Sequence, residues 1–266
     1  MTTTIGHLVT AFEQIAPPRL AESWDNVGLL VGDPAAPLTR LLLTIDYTAP
    51  VADEARQLGC EAVMSYHPPL FQAKKRILAG DGIFEAIRDR IALYSPHTAL
   101  DVAVGGTNDV LCDLLGVTER GPLRPSPTDP QTGIGRVATL PPTPRAALVE
   151  RARQGLGLGH VLVGGPLSGD ARRVAVCAGA GGELLDAVLA ARADVFLTGE
   201  LRHHDVLRAA RAGLTVICAL HSNSERVTLP HLARQLAPHL PGVSIVQSTA
   251  DHDPLRIVGA SEPTAG

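Results

Sequence analysis

The chain has 266 residues, 45% of them hydrophobic and 19% charged, which is an ordinary balance for a water-soluble globular protein with ample core. Its formal net charge of −4 argues against the broadly basic surface of a general nucleic-acid binder. Aromatic residues are only 3%, so the core must be built from Leu, Val, Ile and Ala.

Met1 to His7 lacks the charged start and apolar run of a secretory signal, and no stretch reaches the ~18 apolar residues of a membrane span. The four cysteines, Cys60, Cys112, Cys177 and Cys218, form no C-x-x-C pair. A reducing cytoplasm and no membrane partner are the expectation.

In chain order, apolar residues at helical spacing predict a helix over 5–15, stopped by Pro17 and Pro18. Strands follow at 40–45, 62–65 and 91–94, alternating with helices at 51–58, 83–90 and 108–115. Residues 119–131 hold Pro122, Pro125, Pro127 and Pro130 and read as a linker. Beyond it the pattern predicts strands at 136–140, 161–164, 174–177, 194–197, 215–219 and 244–247. The matching helices are 144–154, 183–192, 204–212 and 224–236, the last kinked at Pro230. The fold class is therefore α/β in two lobes: 1–118, a linker over 119–131, and 132–266.

Open α/β sheets bind ligands beyond the carboxyl ends of their strands. Five predicted strand ends deliver a histidine, a carboxylate or both: Asp46; His67; His97 with Asp101; Glu200 with His203 and His204; His221 with Glu225. His221 and Glu225 are four residues apart at the start of a helical stretch, a spacing that brings Cβ atoms within ~5–6 Å. His97 and Asp101 have the same separation, in a segment with no helical signal of its own. Imidazole and carboxylate together suit zinc, iron, manganese or cobalt. A lone pair of this kind reads as a solvated hydrogen bond; two pairs at strand ends favour a metal site.

Weaker features are given structural roles. The glycine-rich 177–185 turn predicts tight packing of strand on helix, and Ser222 or Ser224 is expected to cap a helix. Trp24, the only tryptophan, is expected as a packing anchor, with no chemistry assigned to Asp25 and Asn26.

The segments WDNVGLLVGDP (24–34), SYHPPLF (65–71), SPHTALD (95–101), GGTND (105–109), TGE followed by HH (198–204) and HSNSE (221–225) occur together and in order. With them the chain resembles the Nif-three-like dinuclear-metal proteins, also labelled GTP cyclohydrolase I type 2 homologues, over residues 5 to 258. The resemblance implies two α/β lobes with two divalent cations in the cleft between them and a toroidal homohexamer. Carried over by position, the metal ligands are His67, Asp101, His221 and Glu225, with His97 in the same motif. Tyr66 stands where many members carry the first of two adjacent histidines. One cation site is therefore expected to persist and the other to be weaker, giving one or two zinc, iron or manganese ions per chain.

The activity implied is a metal-dependent hydrolase opening the purine ring of GTP, with His97, His203 or His204 moving protons. The same residues fit a phosphoesterase acting on a nucleotide or nucleic acid. They also fit a non-catalytic scaffold, metal-insertion factor or regulatory partner. An open coordination position separates the catalytic readings from the last one.

Overall fold

The computed structural model describes residues 2–127 and 129–258. The chain begins with α1 (Ile5–Ile15), β1 (Gly28–Val31), β2 (Arg40–Thr44), α2 (Ala49–Gln57), β3 (Ala62–Ser65) and α3 (Gly82–Arg88). It continues through β4 (Ala92–Ser95), α4 (His97–Val102), α5 (Thr107–Leu114), β5 (Arg120–Pro125), β6 (Gly133–Pro144) and α6 (Arg145–Gly155). Next come β7 (Leu162–Gly164), β8 (Asp170–Ala180), α7 (Leu185–Ala190), β9 (Val195–Glu200) and α8 (His203–Arg211). The described order ends with β10 (Thr215–Cys218), α9 (His221–Arg226), α10 (Leu229–Leu236) and β11 (Ser244–Gln247).

These strands make two mixed sheets. The first has the order β1-β4-β3-β2-β11, parallel except for β1, which runs antiparallel along β4. The second has the order β5-β6-β8-β9-β10-β7, with a parallel centre of β8, β9 and β10 and antiparallel strands on both sides.

Apolar runs without polar interruption build the central strands because both faces are covered. Successive side chains then point to opposite sides. In the first sheet Leu41, Leu43 and Met64 pack under α1 and α10, against Leu8, Phe12 and Leu232. Leu42 and Val63 face the other way, against Val51 of α2 and Ile83 of α3. The second sheet repeats the scheme. Val174, Val176 and Leu197 pack on Leu148 of α6, and Ala175 and Phe196 on Leu185 and Val188 of α7.

Five elements differ from the sequence reading, the first being the short helix α4, where no helix was predicted. Arg120–Pro125 lies in the segment predicted as a linker, yet it is an antiparallel edge strand on β6. An edge strand tolerates proline because one row of its backbone groups needs no partner. Gly28–Val31 is a strand that the motif reading passed over, half-buried along its whole length. The predicted helix over 224–236 is two helices, and Pro230 begins the second rather than kinking one. The last strand was expected with the second half, but β11 pairs with β2 in the first sheet. Among the described residues no helix is long and apolar enough to cross a membrane.

Candidate metal centre

β3 ends at Ser65, and its hydrogen bonding to the β2 side continues for two more residues. Tyr66 N–H donates to Thr44 O and His67 N–H to Ile45 O, at 2.9 and 3.0 Å. Pro68 and Pro69 lack the N–H needed to continue, so His67 is left at the strand tip. From the second sheet, β10 leads into α9, which starts on His221 and places Glu225 one turn later. His67, His221 and Glu225 each offer one ligand atom, all within 4.8 Å of one another.

The contacts inside this group are directed. His67 Nε2 lies 3.3 Å from Glu225 Oε2, and His221 Nε2 lies 3.2 Å from Glu225 Oε1. Both are close to the ~3.3 Å that separates two tetrahedral ligands on bonds of ~2.0–2.1 Å. Each imidazole is held from behind by a carboxylate: His67 Nδ1 by Asp46 Oδ1 and His221 Nδ1 by Glu200 Oε1, both at 2.9 Å. That is the arrangement in which a carboxylate fixes the tautomer and turns the other nitrogen's lone pair toward a metal. Glu225 is buried, and its Oε2 makes no hydrogen bond among the described residues. Two lone pairs and a buried carboxylate converging on one point need a positive charge there, a proton or a cation. The donor set fits a divalent ion.

Without a metal, protons take that role. Burial works against charging His67, but Asp46 and Glu225 outweigh it and push the imidazole up to about 10. Glu225 chiefly raises His221, to about 9, against the cost of burial. Burial opposes ionisation of Glu225, yet His221 and His67 hold its carboxyl below the ordinary value. The stabilisation from the two imidazoles is complete below their unfolded value of ~6.5 and is lost as pH climbs through about 9 and about 10. Glu225 acts in the opposite sense, its share being lost as pH falls. Chelator-stripped protein is therefore expected to melt at a lower temperature at about pH 10 than at about pH 7, and Glu225→Gln to flatten that fall. Equal slopes in the two proteins would reject the coupling.

Asp101 adjoins this group from α4. It lines the same cavity as His221 and Glu225. Burial raises its carboxyl to about 6; the hydrogen bond from Tyr66 opposes that and the charge of Glu225 adds to it. Tyr66 is fully buried, and its phenol donates to Asp101 Oδ1 and pairs with Thr107 Oγ1 at 2.8 Å. Burial and the charges of Asp101 and Glu225 hold that phenol well above its ordinary value, so it stays protonated. A protonated phenol that donates to Asp101 carries no negative charge and is a poor ligand for a divalent cation.

His97 is the first residue of α4, and its ring centroid is 5.3 Å from that of His67. The residue behind it escaped the sequence reading. Asp25, whose side chain is fully buried, accepts from His97 Nδ1 at 2.8 Å and from Thr98 N at 3.1 Å, and also bonds the Thr98 hydroxyl. Asp25 thus does for His97 what Asp46 and Glu200 do for the other two imidazoles. Trp24 beside it is 58% exposed, so it is not the packing anchor expected.

The backbone is forced at both histidine-bearing junctions. His97 has φ +29° and Leu220, just before His221, has φ +70°, a region disfavoured for side chains of their size. The glycine-rich turn serves both sheet packing and the site. A Cβ on Gly181 would lie 2.4 Å from Thr198 Oγ1, the tight packing expected. At Gly179, with φ +64°, a Cβ would lie 2.8 Å from Glu225 Oε1 and 3.1 Å from His221 Nε2. Only glycine lets β8 approach the ligand group so closely. Ser224 does not cap α9 as predicted; its hydroxyl accepts from Gly179 N at 2.8 Å and fixes that approach.

His221 and Glu225 open on a cavity of about 770 Å³ lined also by Trp24, His97, Asp101, Arg124 and Arg202, whereas His67 lines a separate cavity of about 690 Å³ with Asp46 and Asp251. His203 and His204 are exposed at the start of α8, stand beside each other, and do not line this cavity. The structure thus brings together His67, His221 and Glu225, with Asp101 and His97 adjoining, and leaves the histidine pair apart.

Comparison with known proteins agrees with this architecture. The chain is 38% identical to the protein NIF3 homolog of Schizosaccharomyces pombe over 264 residues, covering 91% of this chain and 94% of that one. It is 31% identical to a GTP cyclohydrolase 1 type 2 homolog of Clostridium perfringens, covering 96% and 99% of the two chains. The crystal structure of a Bacillus cereus protein related to NIF3 superposes with a TM-score of 0.87 at 21% identity, covering 97% of this chain and all of that one, which speaks to the fold. The model of the Duf34/NIF3 (NGG1p interacting factor 3) family matches residues 3–254, and the chain belongs to that family.

Proposed function

We propose that this protein is a divalent-metal-dependent hydrolase acting on a nucleotide, with GTP the first substrate to test. One observation carries the reading: two imidazoles, each held from behind by a carboxylate, converge on the buried Glu225, which with His221 lines a large cavity while His67 lines a second one. His67, His221 and Glu225 would hold the ion, with Asp101 as the fourth candidate ligand. Three protein ligands with room beside them is the pattern of a catalytic rather than a closed structural site. A divalent ion bound there supplies a water acidified to near neutral pH and a Lewis acid for a polarised oxygen. His97, oriented by Asp25 through Nδ1, keeps Nε2 free to carry a proton at the cavity wall. Arg202, and Arg124, which is paired with Glu22 at 3.6 Å, line the same cavity and are the groups that would meet a substrate phosphate. The name borne by the Clostridium perfringens relative points to GTP as well.

The test is release of formate from GTP by chelator-stripped protein supplied in turn with zinc, manganese and iron(II). Turnover should require metal and be lost in His221→Ala and Asp101→Ala. Turnover that survives both changes would remove this site from the chemistry. Hydrolysis of a phosphodiester without formate release would assign the same site to phosphoester cleavage.

Tyr66 sets the expected metal count. With its phenol committed to Asp101 and Thr107, one ion per chain should bind tightly. Tyr66→His offers a further imidazole, and metal analysis should then approach two ions per chain. Two tight ions in the unaltered protein would overturn this reading of Tyr66.

A further inference from the structure

The exposed aromatic side chains Trp24 and Phe71 are held as if for a partner. Trp24 is 58% exposed and Phe71 46% exposed. Leaving two large rings in water forgoes much of what their burial would contribute. Yet neither ring sits on a loose segment. Asp25, next to Trp24, is buried against His97 and Thr98, and Asn26 Nδ2 donates to the Leu70 carbonyl at 2.5 Å. The residues after Trp24 are thereby tied to the His97 segment and to Leu70, which precedes Phe71.

The rings also form a connected series. The Trp24 centroid is 6.0 Å from Phe71 and 6.0 Å from His97, and His97 is 5.3 Å from His67. The Trp24 contacts have interplanar angles of 67° and 72°, so neither neighbour lies flat on the indole. Trp24 lines the same cavity as His221 and Glu225, and Arg124 and Arg202 line it too. A planar ring stacked on the indole would enter that cavity, whose lining also holds Arg202 and Arg124, the latter paired with Glu22 at 3.6 Å.

We infer that Trp24, supported by Phe71, is the stacking platform for the nucleobase of the substrate, and that it selects for a planar heteroaromatic ring. This rests on the nucleotide reading above, but it concerns recognition alone and needs no turnover. Base–aromatic stacking tolerates different bases, because every base presents a π-face. Arg124 and Arg202 would add affinity through phosphate without choosing the base.

Trp24 is the only tryptophan, so the protein's tryptophan emission reports this position alone. The experiment titrates chelator-stripped full-length protein with guanosine, with adenosine and with ribose 5-phosphate. Both nucleosides should change the emission saturably, and ribose 5-phosphate should not. Calorimetry with Trp24→Leu, which keeps an apolar side chain and whose folding is checked by circular dichroism, should show guanosine binding weakened about 5- to 150-fold. Emission indifferent to nucleosides, or guanosine affinity unchanged in Trp24→Leu, overturns the proposal. So does emission that changes only with protein concentration, which would assign the ring to contact with a second copy of the chain. Saturable nucleoside binding without formate release would uphold the platform and reject GTP ring opening. Ring opening with unchanged emission would do the reverse.

Discussion

Glu225→Gln is expected to abolish tight zinc binding. The substitution keeps the shape of the side chain and removes the charge that both His67 Nε2 and His221 Nε2 face. Removing an outer partner of a ligating histidine typically costs ~10–100-fold in metal affinity. Loss of the central carboxylate should cost more than that, and Asp46→Asn and Glu200→Gln should each fall within it. Competition against a chromophoric chelator at fixed pH measures all three. If Glu225→Gln binds zinc with unaltered affinity and stoichiometry, the candidate centre is not the metal site. The order of effects matters as much as their size. Glu225 is buried, whereas Asp46 and Glu200 are partly or largely exposed, so their charges are better screened by solvent.

Asp109→Ala is expected to be the most destabilising single change away from the site. Arg136 is almost wholly buried, and every part of its guanidinium is engaged. Nε donates to Asp109 Oδ1 at 2.6 Å, Nη1 to Gly133 O and Gly135 O at 2.8 and 2.9 Å, and Nη2 to Val102 O and Ala103 O at 3.0 and 3.1 Å. Asp109 also accepts from Gly105 N at 2.6 Å and pairs with Arg120 at 3.1 Å. Removing it leaves a buried cation uncompensated, a loss of about 3–5 kcal/mol in comparable pairs. Arg136→Lys should not substitute, because an ammonium cannot supply the planar fork that four carbonyls and a carboxylate accept. Urea unfolding checks this through the midpoint at constant slope. A loss below about 1 kcal/mol would show the pair to be dispensable. The damage should also reach the site, since Val102 ends the helix that carries His97 and Asp101, and Ala103 caps it.

The parts of the fold legible in the sequence are those whose burial leaves a local signature. β2, β3, β8, β9 and β10 are apolar on both faces and read as continuous runs. β1 is half-buried throughout, and two prolines disguise β5, so neither gave such a run. The partner of β11 could not be read at all, because pairing to β2 is a relation between distant segments. The site follows the same rule. His67 at its strand tip, and His221 with Glu225 at helical spacing, were visible because each is a local pattern. Asp25 was not, as its partner His97 lies 72 residues further on. His203 and His204 follow a strand end as the others do, but α8 begins on them and leaves them exposed, away from the cavity.

The return of β11 to β2 joins the two ends of the described chain. Ser244 pairs with Arg40, about 200 residues earlier, and just behind it Asp251 accepts from Ile45 N and from Arg226, the last residue of α9. On the ribosome, β2 therefore keeps one open edge until nearly the whole chain has been made, with the aggregation hazard such an edge carries. The helix bearing His221 and Glu225 has no anchor to the first sheet through Asp251 until then. A chain cut short just before Ser244 would thus carry every candidate ligand but lack the Asp251 tie between α9 and the first sheet.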